Sequence, residues 1–177
     1  MKPYNESQLS AKLSAPTRTD PPLVAGEKEM LVAYLDFHRE TIALKCAEVP
    51  PDKVNEAAVS PSDLTLHGLV RHLAGVEQWW LHQQFARQEV EPLFANPEDD
   101  FGDLSGSFED SVAMWRAQIE RSRQIIEAAS LDDTSIRLQT GEAISLRRIL
   151  LLLICDYARH CGHADLLRER LDGSVGW

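Results

Sequence analysis

Leu153-Ile154-Cys155-Asp156-Tyr157-Ala158-Arg159-His160 is the stretch on which the reading of this chain turns. Asp156 and His160 stand four residues apart, slightly more than one helical turn, so both project from the same face of a helix. At about 100° per residue, Ile149, Leu153, Asp156, His160, His163 and Leu167 form one stripe. In the last long helix of a soluble domain that stripe is the face expected to be buried. A carboxylate and two imidazoles therefore stand where hydrocarbon belongs. Leaving such groups buried and unpartnered costs several kcal/mol, and a metal ion is one partner that satisfies them together. A hydrogen-bonded buried pair, with Asp156 orienting His160, is the competing reading.

Working outward, three further amphipathic segments precede this helix. The first spans about residues 25–48, with Leu31, Tyr34, Leu35, His38, Ile42, Lys45 and Val49 on one face, and Pro50 and Pro51 end it. The second opens after Ser60-Pro61-Ser62-Asp63, with Ser62 or Asp63 as cap, and continues to about Arg87. Its inward stripe reads Leu69, His72, Val76 and Trp79, widened by Leu73 and Trp80. An acidic loop from Glu89 to Gly106 follows, and its run Glu98-Asp99-Asp100 reads as solvated. The third helix covers about residues 107–129, with Phe108, Val112, Trp115, Ile119 and Ile126 on one side. Residues 130–143 form a connection with a short extended piece at Ile136–Gln139. The fourth helix begins after Ser145 and stops at Gly173. The fold class predicted is all-α, a four-helix bundle over residues 23–177. Residues 1–22 read as a flexible lead-in with a short helical piece at Glu6–Leu13.

Composition narrows the function classes. With 44% hydrophobic and 26% charged residues in 177, the chain reads as one soluble domain. A formal net charge of −10 argues against nucleic-acid backbone binding and against docking on anionic lipid. No apolar run approaches the roughly 18 residues needed to span a bilayer. Without a signal-peptide pattern, the cytoplasm is the expected compartment. Cys46, Cys155 and Cys161 match no metal ribbon or CxxC spacing, and read as small core hydrophobes in a reducing compartment.

Bundle cores build metal sites from facing helices. His72, on the inward stripe of the second helix, is the third ligand that Asp156 and His160 call for. Three ligands, one of them a carboxylate, leave a position open for water or substrate, as in catalytic zinc sites. Two histidines and a carboxylate also suit iron(II).

The segment Gly68-Leu69-Val70-Arg71-His72-Leu73-Ala74-Gly75-Val76-Glu77, with the later Asp156-Tyr157-Ala158-Arg159-His160-Cys161-Gly162-His163-Ala164-Asp165-Leu166-Leu167-Arg168-Glu169, resembles the DinB/YfiT-like superfamily. The likeness is to its actinobacterial mini-circle branch, related to mycothiol-dependent maleylpyruvate isomerases, and covers about residues 18–175. It implies a four-helix bundle with a divalent metal held by three side chains. His72 matches the family's histidine on the second helix, and His160 the final ligand. Asp156 stands where the family has His or Glu, one methylene shorter than Glu, and His163 is the reserve should it not reach. The resemblance implies a metal-dependent thiol S-transferase. It would take mycothiol or a similar low-molecular-weight thiol as co-substrate and pass it to an electrophile, with zinc, or else nickel or iron, as the metal. A non-catalytic metal-binding stress or sensor protein is the alternative.

Other residues carry two readings each. His38 and Lys45 are either pocket residues or, respectively, a satisfied core histidine and a snorkelling lysine. Trp79 and Trp80 are core or interface anchors before they are substrate platforms. His67 and His82 read as surface residues, Glu77 as part of a solvated face, Arg159 as a surface ion-pair partner, and Ser122 as bonding its own backbone. The exposed apolar surface of so small a bundle admits a homodimer.

Overall fold

The computed structural model describes residues 18–96, 99–102 and 104–175. The helical piece expected at Glu6–Leu13 lies outside the described residues. Helix α1 spans Glu27–Cys46. It stops short of Pro50 because the residue before a proline avoids the helical region, and Glu48 turns the chain with φ of 60°. Thr19 N–H donates to Glu40 (2.7 Å) and the Arg18 guanidinium lies 4.5 Å from the Phe37 ring centroid, which ties the chain ahead of α1 to the α1 surface.

Helix α2 spans Leu66–Glu77. Its cap is Thr65, whose hydroxyl accepts from Gly68 N–H at 2.9 Å. The expected cap Ser62 instead accepts from Leu64 N–H in a local turn. The helix does not run uniformly to Arg87. It continues as a π-helical segment, Gln78–Phe85, and ends where Arg87 adopts φ of 56°. The acidic loop contains a short helix, α3, at Asp99–Gly102. Helix α4 spans Phe108–Ala128 and is capped by Ser107, which accepts from Asp110 N–H.

The connection after α4 forms an antiparallel hairpin, β1 Thr134–Ile136 and β2 Ala143–Ser145, with Ser135 opposite Ile144. The strand lies earlier than the expected Ile136–Gln139 because the next residues are claimed by other partners. Arg137 N–H donates to Glu142 O, and Leu138 N–H donates to the Gln84 side chain. Helix α5 spans Leu146–Asp172, with Ser145 as cap and Gly173 at φ of 82° as the left-handed stop, both as expected.

Around the bundle the long helices follow the order α1, α5, α2, α4. Contacts are dense between α1 and α5 and between α2 and α4, and sparser across the α2/α5 seam. Helices α1 and α4 scarcely touch; a groove of about 520 Å³ there is lined by Arg39, Trp115, Ile119 and Arg123. No helix among the described residues is long and apolar enough to cross a membrane.

Because α2 packs on α3, α4 and α5, little of its circumference faces water. Three expectations fail because this helix, and the π-helical segment that packs on α4, α5 and β1 after it, are enclosed. His67 is fully buried, with Nδ1 2.8 Å from Asn55 Oδ1 and Nε2 2.8 Å from Ser111 Oγ. His82 is fully buried on the π-helical segment, its Nε2 3.1 Å from the Ser122 hydroxyl, so Ser122 bonds across the bundle. Glu77 is fully buried and accepts two hydrogen bonds from Arg39, at 2.8 Å each, and one from Tyr157 Oη at 2.8 Å. Trp115 Nε1–H completes the chain by donating to Tyr157 Oη. One polar network thus joins α1, α2, α4 and α5. Two further expectations are corrected on α1 and α5. Lys45 is buried and pairs with Asp165 at 2.7 Å rather than reaching water. Cys155 is exposed, whereas Cys46 and Cys161 are buried.

Candidate metal centre

His72 on α2 faces Asp156 and His160 on α5 across the sparse seam between the two helices. One ligand atom from each residue lies within 4.8 Å of the others. Asp156 sits between the rings: its Oδ2 is 3.7 Å from His72 Nε2, and its Oδ1 is 3.7 Å from His160 Nε2. The ring centroids are 4.8 Å apart. At 3.7 Å neither contact is a hydrogen bond. Around a zinc-sized cation bound at about 2.0–2.1 Å, tetrahedral ligands stand roughly 3.3–3.4 Å apart. The two carboxylate–imidazole separations exceed that spacing by a few tenths of an ångström, and with all three donors within 4.8 Å of one another the residues present fit such an ion once their side chains draw in around it.

The rest of each ring is occupied. His72 Nδ1 lies 2.7 Å from Asp100 Oδ2, and the Phe101 ring stacks on His72 with centroids 4.2 Å apart and planes inclined by 20°. His160 Nδ1 lies 3.3 Å from His163 Nδ1. Both imidazoles thus engage their Nδ1 elsewhere and present Nε2 to Asp156. Asp100 and Phe101 come from α3, inside the loop read as solvated. Sequence reasoning missed them because nothing in an acidic run says which carboxylate turns inward. The signal available was Gly68: a Cβ there would meet the Phe101 carbonyl oxygen at 3.0 Å, so a glycine on α2 marks where the loop closes on the helix.

Charge follows this geometry. Burial disfavours a proton on His72, but Asp156 and Asp100 outweigh it and raise its pKa above the ordinary histidine value. Burial, reinforced by the neighbouring His72, brings His160 down to about 4 despite Asp156. Burial alone would raise Asp156, yet His72 and His160 hold its carboxyl below the usual range. At neutral pH the cluster therefore presents an ionised carboxylate and a neutral His160, whose lone pair is free to coordinate.

The remaining candidates lie around this core rather than in it. His163 meets His160 instead of joining the three donors. Asp156 and His163 are half-buried, at the edge of the stripe; the residues nearer its centre are Leu153, Tyr157, His160 and Ala164. His38 lies on the α1 side of α5, its Nδ1 3.9 Å from Cys161 Sγ, and Lys45 is on that side too, held by Asp165. Trp79 is half-buried on the π-helical segment and makes no hydrogen bond to the cluster among the described residues. Arg159 is exposed and its guanidinium lies 3.3 Å from Asp156 Oδ1, at the outer edge of the site.

A family model described as Mycothiol-S-transferase matches residues 30–173, and the chain belongs to that family. The match takes in the four long helices and all three residues of the cluster, apart from the first turn of α1. No curated protein matches the chain.

Proposed function

We propose that the protein is a metal-dependent thiol S-transferase that uses mycothiol, with His72 Nε2, Asp156 and His160 Nε2 holding the divalent cation. The observation that carries this reading is the convergence of two imidazoles and a carboxylate from α2 and α5, with no hydrogen bond among them. Two nitrogens and one oxygen with a position left open suit zinc; nickel or iron would also accept this donor set. When bound, such a cation holds a coordinated thiol as the thiolate, the nucleophilic form, at a pH where a free thiol near pKa 8.5 is mostly protonated. The chain's own part is orientation and charge. Asp156 contributes the negative charge that holds a cation between the helices. Asp100 and His163 engage the far ring nitrogens, and Phe101 walls the His72 side with apolar surface. Support for the thiol comes from the family, and the electrophile is the class that a thiolate attacks.

Metal analysis of the purified protein beside His72→Ala and His160→Ala tests the site. A divalent ion near one equivalent in the parent and lost in both variants is expected. Equal content in the parent and His160→Ala would remove His160 as a ligand. Loaded protein is then mixed with mycothiol and an electrophile such as a bimane. Failure to consume thiol with several electrophiles would leave a metal-binding stress or sensor protein as the better account.

A further inference from the structure

We propose that Asp100 and Phe101 of α3 are positioning residues for the metal site: Asp100 holds His72 in the Nδ1–H tautomer and Phe101 fixes the ring plane, so that Nε2 is aimed at Asp156. The inference rests on the metal-site reading above. It makes the acidic loop a part of the centre rather than a connection.

Three observations carry it. First, the 2.7 Å contact joins His72 Nδ1 to a carboxylate oxygen, which can only accept; the ring must therefore donate from Nδ1. Second, Asp100 is itself fixed, because its other oxygen accepts from Phe101 N–H at 2.9 Å. Bonded to the ring nitrogen that faces away from Asp156 and outside the group of three converging donors, Asp100 orients a ligand rather than being one. Third, the loop is fastened to α2 on either side of His72. Phe101 O would lie 3.0 Å from a Cβ at position 68, tighter than side chains ordinarily pack, so any larger residue there would press on the loop. Arg71 donates to Asp99 O at 3.3 Å and covers the Phe94 ring at 4.5 Å. The Phe94 ring also packs over Gly75, its edge 3.4 Å from where a Cβ would stand. Carboxylates on the outer nitrogen of a ligating imidazole fix its tautomer and raise its basicity, and their loss typically weakens metal binding by about 10–100-fold.

The test uses the full chain with Asp100→Ala, Asp100→Asn and Gly68→Ala. Zinc affinity is measured by competition with a chromophoric chelator. The His72 tautomer is read in metal-free protein by nitrogen-15 NMR, at a pH where the ring is neutral. We expect Nδ1–H in the parent and in Asp100→Asn, whose amide oxygen still accepts. A shift toward Nε2–H is expected in Asp100→Ala, with zinc bound about 10–100-fold more weakly. Gly68→Ala, which pushes α3 away while keeping both partners, should weaken zinc in the same direction. A role in folding alone would lower the melting temperature and leave the tautomer unchanged. An unchanged tautomer with parental affinity in Asp100→Ala overturns the proposal. If Asp100→Ala does not fold, parental zinc affinity in Gly68→Ala overturns it equally. A parent chain that takes up no zinc defeats the metal reading, while the tautomer measurement still decides the role of Asp100.

Discussion

Replacing Glu77 by Ala should be the most destabilising single change to a polar side chain in the bundle. Glu77 is fully buried and Arg39 is 2% exposed, so neither charge can turn to water for a substitute partner. Removal strands a guanidinium that had two 2.8 Å bonds to the carboxylate, and takes away the acceptor of Tyr157 Oη. Breaking one side of a buried pair typically costs about 3–5 kcal/mol. Arg39 keeps its bond to Asp36, itself partly exposed, which places the expectation near the low end, at about 3 kcal/mol. At about 2–4 °C per kcal/mol for a domain of this size, the melting temperature should fall by roughly 6–12 °C. Urea unfolding followed by circular dichroism gives the free energy directly. A loss below about 1 kcal/mol would refute the reasoning, since the stranded charge would then have found water or another partner. The double variant Arg39→Met, Glu77→Leu supplies the internal control. It removes both charges, so it should cost less than Glu77→Ala alone, with a large favourable coupling in the double-mutant cycle.

Two smaller predictions come from other parts of the structure. Burial pushes the Cys46 and Cys161 thiols up to about 12, so both stay protonated and inert at neutral pH, while Cys155 is exposed. A native-state thiol titration should therefore count one reactive cysteine of the three in the sequence, and a Cys155→Ser variant none; fast labelling of Cys161 would contradict the packing of α5 on α1. Gly173 ends α5 at φ of 82°, so Gly173→Ala should destabilise by about 1 kcal/mol in the same urea assay, and a stabilising effect would mean the turn is not left-handed in solution.

How much of this was legible in the sequence depends on which physical signal each feature left. The ends of α4 and α5 were readable because Ser107, Ser145 and Gly173 perform local chemistry that no tertiary contact needs to complete. The pair Asp156 and His160 was readable because helical spacing alone puts both on one face, and His72 because the opposing helix needed a ligand on its inward side. Glu77, His67 and His82 were not readable. Each is polar on an amphipathic stretch, and only the packing of α2 and of residues 78–85 on their neighbours takes it from water. The π-helical register of residues 78–85 left no mark that a 3.6-residue period could detect. Asp100 was hidden for a related reason: its partner is 28 positions away, and its acidic neighbours look the same in one dimension.

Two of the groups of inward-facing ionisable side chains in the bundle, those around Glu77 and Asp156, differ in a way that separates architecture from chemistry. Around Glu77 each polar atom that needs a partner has one: the guanidinium of Arg39 donates to Glu77 and Asp36, Tyr157 donates to Glu77, and Trp115 donates to Tyr157. Such a network is complete and asks for no ligand. Around Asp156 the outer nitrogens are engaged and Arg159 donates to Oδ1 from the rim, but each Nε2 stands 3.7 Å from the carboxylate without a bond to it. Groups left in that state are costly unless something fills the space between them. The sparse α2/α5 seam supplies that space, and Gly68 lets α3 close one side of it. An acceptor-only carboxylate and two imidazole lone pairs converging there are complementary to a cation, and it is this convergence of donors not bonded to one another, more than the presence of histidines in a helix, that makes the seam a centre for chemistry.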